Sequence, residues 1–73
     1  MPKLPIVSGK ECVNCLAKLG YTMVRQRGSH VRLSCIKRKP VTVPMHKIIA
    51  TGLLRKILRD AQLSAEDFIT LLK

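Results

Sequence analysis

Acidic residues are scarce in this chain. Its 73 residues hold four Asp and Glu against fourteen Lys and Arg, and none of the four lies between Cys12 and Arg59. Two-metal nucleases gather several carboxylates around Mg²⁺. Glu11, Asp60, Glu66 and Asp67 are too few and too scattered for that, so no carboxylate–metal centre is expected. No glycine-rich loop is present to cradle a phosphate, which removes support for nucleotide hydrolysis. Trp is absent, and Tyr and Phe occur once each, so Leu, Ile and Val must fill the core. No apolar run approaches the roughly 20 residues of a membrane span. The opening MPKLPIVSG is too short and too broken by proline to read as a signal peptide. Three cysteines, an odd number, give no disulfide framework, and a reducing cytoplasm is the expected compartment.

What the chain does have is positive charge. The formal net charge is +10, and the acid-free span contains eleven basic residues and both histidines. Such a field favours nucleic acid or another polyanion as partner. An acidic protein partner or an anionic membrane would also fit the same charge. The length and a 47% apolar share suit one small domain, residues 1–73.

Residues 1–7, with prolines at 2 and 5, read as an extended lead-in. SGKE is a capping box, Ser8 with Glu11 three residues on. A helix should follow to about Leu19, burying Cys12, Cys15, Leu16 and Leu19, with Gly20 ending it. YTMVRQR and VRLSCI read as strands joined at Gly28-Ser29, which suits a type II′ turn. That turn sets Arg27 opposite His30, Arg25 opposite Arg32 and Met23 opposite Ser34 on a cationic surface. Gln26 with Val31, Val24 with Leu33, and Thr22 with Cys35 fall on an apolar one. A three-residue loop, Lys37–Lys39, then leads to a third strand, PVTVP, aligning Val41 with Cys35 and Val43 with Leu33. That register buries both valines. The last third is helical: Leu53, Leu54, Ile57 and Leu58 recur at helical spacing from a start at Thr51 or Gly52. Ser64 and Asp67 form a second cap before Phe68, Ile69, Leu71 and Leu72. The expected class is α+β, α-β-β-β-α, with helices on one face of a three-stranded antiparallel sheet and the other face wet.

Cys12-x-x-Cys15 has the spacing of half a zinc site, but both cysteines share the apolar stripe of a helix and read as packing. No metal and no cofactor are expected. His30 follows a turn and lies on the arginine surface. Arginine opposite arginine across strands is unfavourable, and an anion would relieve it. A phosphodiester beside His30 would be gripped by Arg25, Arg27 and Arg32, with Gly28, Ser29, Lys37, Arg38 and Lys39 as further RNA contacts. RNA cleavage requires a base for the 2′-OH, cations for the transition state and an acid for the leaving oxygen. If the third strand continued past Pro44, His46 would lie across from His30 as a second acid or base. A non-catalytic RNA-binding module is the alternative, since it requires the same cationic face without His30.

The segments SGKE…LAKLGYTMVRQRGSHVRL…VTVPMHK…LLRKILRDAQLSAEDF resemble the HicA family, over about residues 6 to 72. GSHVRL and VTVPMH are the most specific of them. The resemblance implies a double-stranded-RNA-binding-domain-like fold and the toxin half of a type II toxin–antitoxin pair. It implies ribosome-independent mRNA cleavage, with the catalytic histidine of the GSH motif falling on His30. The implied partners are mRNA and a HicB-like antitoxin that covers the active face, with no membrane partner. The sequence departs from the family pattern around the second helix, at Ile48, Leu53 and Gln62.

Overall fold

A computed structural model describes residues 3–73; Met1 and Pro2 of the expected lead-in lie outside them. Six elements follow in order: α1 (Gly9–Ala17), β1 (Thr22–Arg27), β2 (His30–Cys35), β3 (Arg38–Pro44), α2 (Thr51–Asp60) and α3 (Ala65–Leu72). The strands form one antiparallel sheet in the order β1-β2-β3. This is the α+β arrangement the sequence predicts, with the C-terminal helical third divided in two.

Local chemistry sets the ends of the helices. Ser8 Oγ accepts from Glu11 N at 3.1 Å while Glu11 Oε1 accepts from Ser8 N at 2.9 Å, completing the capping box. Ser64 Oγ accepts from Asp67 N at the start of α3. The end of α2 is less conventional. Leu63 N donates to Leu58 O and Gln62 N to Arg59 O, the paired bonds of a Schellman motif, whose left-handed residue is usually glycine. Here it is Gln62, at φ 57°. Arg38 offsets the strain, because its Nη1 donates to Ala61 O at 2.5 Å and Gln62 O at 3.3 Å. The C-cap carbonyl left over at the helix end, and that of the left-handed residue after it, are thereby satisfied.

The core lies between the helices and one face of β2 and β3. Val31 and Leu33 point into it from β2, Val41 and Val43 from β3, Cys12, Cys15 and Leu16 from α1, Leu54, Ile57 and Leu58 from α2, and Phe68 from α3. Leu19 is only half-buried, in the turn after α1. Burial pushes the Cys12 thiol up to about 12, with Cys15 beside it adding to the effect. Burial also raises the Cys15 thiol, against the pull of Lys18. Metals and electrophiles take thiolates, so these two cysteines are core atoms.

Two registers differ from those the sequence suggests. Near the turn, Arg27↔His30, Gln26↔Val31 and Arg25↔Arg32 pair as expected, but Met23 then pairs with Leu33 and Thr22 with Ser34. Val24 is the extra residue of a β-bulge and is 58% exposed. The expected Val24–Leu33, Met23–Ser34 and Thr22–Cys35 pairs are therefore corrected. A bulge disturbs little at β1, an edge strand whose residues are all exposed. Between β2 and β3, Val43 pairs with Val31 and Val41 with Leu33, two residues from the expected register. The turn is only Ile36-Lys37, and Arg38 pairs with Cys35. A shorter turn by itself would put both valines on the arginine surface. The Lys39-Pro40 bulge restores their direction, and proline suits that place because it has no N–H to donate.

Candidate active site

The hairpin turn fixes His30. Gly28 has φ 59°, and Ser29 has no such positive φ, so the turn is type II′, with glycine where left-handed backbone is required. Gln26 Nε2 donates to Gly28 O at 3.1 Å and braces it. His30, the first residue of β2, lies opposite Arg27, while Arg25 and Arg32 pair across the same two strands. All four side chains are exposed, on the sheet face opposite the buried Val31 and Leu33. Arg32 Nη1 donates to Thr42 Oγ1 at 3.0 Å, which holds its guanidinium against β3.

His46 reaches this face by a route the strand register does not supply. β3 ends at Pro44, which pairs with His30. The chain then bends, and Met45 N donates to Ser29 O at 2.6 Å. His46 follows, its Nε2 3.4 Å from Ser29 Oγ. The His30 and His46 rings stand with centroids 6.3 Å apart and planes at 72°. Both rings are exposed.

The first residue of α1 holds the segment from behind. Gly9 N donates to His46 O at 2.9 Å. A Cβ at Gly9 would fall 2.2 Å from Pro44 O and 2.7 Å from the Met45 Cα. Only glycine lets α1 approach so closely. Gly9→Ala should therefore push α1 off the Pro44–His46 segment, with the cost of about 1–3 kcal/mol typical of overpacking. Urea unfolding measures this loss, and the ring resonances of His46 should shift with it. An unchanged midpoint and unchanged resonances would show that the contact is slack.

The remaining basic residues lie elsewhere. Lys37 and Lys39 are exposed at the far end of β2 and β3, about five residues or roughly 17 Å from His30 along a strand. Arg38 faces the helices and is committed to the C-terminus of α2. Thr42, the partner of Arg32, was not singled out in the sequence, because its place depends on the β3 register. Among the described residues no group of three or more His, Cys, Asp or Glu is placed to hold a metal ion, and no helix is long and apolar enough to cross a membrane.

Searches of curated proteins and of solved structures gave no match. The family described as "HicA toxin of bacterial toxin-antitoxin" matches residues 9–63, a span running from the glycine that abuts His46, through the GSH hairpin, to the end of α2. With three-quarters of its length inside that match, the chain belongs to the HicA family, the toxins of bacterial toxin–antitoxin systems.

Proposed function

We propose that this toxin is a metal-independent endoribonuclease that cleaves mRNA. The observation that carries the reading is the pair of imidazoles 6.3 Å apart on a face bearing Arg25, Arg27 and Arg32. One ring takes the proton of a 2′-OH, whose oxygen attacks the neighbouring phosphorus. The other gives a proton to the departing 5′ oxygen. His30 is the primary catalytic group, with His46 in the complementary role. Arg25, Arg27 and Arg32 stabilise the charge that builds on the phosphoryl oxygens. The turn backbone at Gly28 and Ser29 lies against the same phosphate. Lys37 and Lys39 meet the RNA further along the strand, and the held guanidinium of Arg38 adds to the field rather than to a contact. Labelled mRNA incubated with the protein in EDTA is the direct test: wild type cuts it, and uncut RNA overturns the reading. Binding without cutting would mark a non-catalytic RNA-binding module.

The antitoxin partner is a HicB-like protein that docks an acidic surface over His30 and the arginines. Opposite charge across +10 steers such an encounter and speeds it. Expression of the chain alone should arrest growth, and co-expression of the adjacent gene should restore it. Normal growth with a folded wild-type chain would count against toxicity of this copy.

A further inference from the structure

A groove of about 280 Å³ runs beside His30, between β3 and α2. His30 and Arg32 stand at the sheet side, Lys56 and Asp60 on the helix, with Pro44 and Leu53 as apolar walls. Its size is at the lower bound of small-molecule sites, enough for one flat ring system and no more. The charge changes sign along it. Asp60 is the only carboxylate in its lining, and it would repel a phosphate. The phosphate end is therefore at His30 and Arg32, and a different chemistry is called for at Asp60. That carboxylate is about a quarter exposed and meets Lys56 Nζ at 3.4 Å. A single partner leaves most of its lone-pair sites open, and an ion pair this exposed is weak.

We infer that this groove is a subsite for the nucleobase next to the scissile phosphate, and that it takes a base carrying an exocyclic amine, which donates to Asp60. The inference rests on the ribonuclease reading. Adenine, cytosine and guanine present an amino group at a corner of the ring. Uracil has carbonyl oxygens at both outer corners and its one edge donor, N3–H, recessed between them, so a carboxylate placed for an exocyclic amine meets an oxygen instead. Pro44 and Leu53 sandwich the ring, Lys56 donates to a neighbouring ring nitrogen or carbonyl, and Thr42 Oγ1 stays with Arg32 at 3.0 Å. Asp60 makes no contact with the reacting atoms, so it sets specificity.

Cytidine and uridine 3′-monophosphates differ only along the ring edge that Asp60 faces, in the 4-substituent and the proton on N3, so they are the probes. Titrated into ¹⁵N-labelled protein, the cytidine nucleotide should bind at least about ten-fold more tightly, within the range of one good side chain–base pair. Its shifts should centre on the amides of Thr42, Leu53, Lys56 and Asp60. Asp60→Asn keeps the shape but adds an N–H₂ that can donate to uracil, so the preference should collapse toward equality. Equal affinities in wild type overturn the inference, as does a preference that survives in Asp60→Asn or shifts confined to β1. The titration involves no cleavage. A groove that fails to discriminate leaves the ribonuclease reading standing, whereas uncut mRNA in EDTA removes that reading whatever the nucleotides show.

Discussion

His30→Ala should abolish cleavage of mRNA while leaving a folded protein that still binds RNA. The ring is exposed at the start of β2, so its removal opens no cavity and the thermal midpoint should barely move. Arg25, Arg27 and Arg32 remain, and on the proposed reading they carry the attraction to phosphates. RNA affinity should stay close to wild type and fall steeply with added salt in both proteins, because bound phosphates release counterions. A positioned acid or base contributes about 10²–10⁴-fold in rate, so the loss reads as absence in an ordinary gel assay. The chemistry also fixes the ends of the fragments. Attack by the 2′ oxygen leaves a 2′,3′-cyclic phosphate or the 3′-phosphate it hydrolyses to, and mass spectrometry distinguishes these from a 3′-hydroxyl. A 3′-hydroxyl end, or cutting by His30→Ala at the wild-type rate, would refute the mechanism. His46→Ala should fall between the two, since water can replace a leaving-group acid at reduced rate.

Phe68→Ala should unfold the domain. Phe68 is fully buried in α3, and its carbonyl accepts from the buried Cys15 thiol at 3.6 Å. Lys18 Nζ ties the same two helices together by donating to Leu71 O at 2.5 Å. Truncating a buried Phe costs about 3–5 kcal/mol. A core in a chain this short supplies roughly the same, about 3–5 kcal/mol, so little folded protein should remain at room temperature. Circular dichroism melts measure the effect, with Ile36→Ala as the control at a side chain 100% exposed. A Phe68→Ala melt within a few degrees of wild type would contradict this account of the core. The result bears on where the domain stops. α3 lies beyond the residues 9–63 that match the family, yet α1, which holds His46 through Gly9, packs on it.

Features with a local cause were legible in the sequence. Gly28-Ser29 reads as a type II′ turn because few residues accept that backbone, and the pairing of His30 with Arg27 and of Arg25 with Arg32 follows from the turn alone. Ser8 with Glu11 and Ser64 with Asp67 read as caps for the same reason. The parity of β3 was legible too, since Val41 and Val43 had to be buried. The exact pairing was not. A three-residue loop and a two-residue turn with a bulge send the valines the same way, and only the packed sheet distinguishes them. The bulge at Val24 had no marker, because an edge strand with no helix over it tolerates either register. His46 was placed near His30 by extending β3 in a register that does not occur. The two rings meet because Met45 N finds Ser29 O and Gly9 leaves room behind, and both contacts are tertiary. The groove at Asp60 was invisible for a similar reason: α2 had to be docked before Lys56 and Asp60 could border the sheet.

The bonds that place His46, Met45 N to Ser29 O and Gly9 N to His46 O, belong to the main chain. They form as the chain folds and call for no ligand, no cation and no change of protonation. On the proposed reading, a surface assembled by main-chain bonds is in place in each copy once it has folded. Restraint then becomes a question of dose. On the same reading an antitoxin that covers this face withdraws copies by binding them, so free toxin stays low while the partner is in excess. It rises in proportion once synthesis or survival of the partner falls behind. The sharpness of that threshold is set by the tightness of the cover, and its position by the ratio of two protein lifetimes.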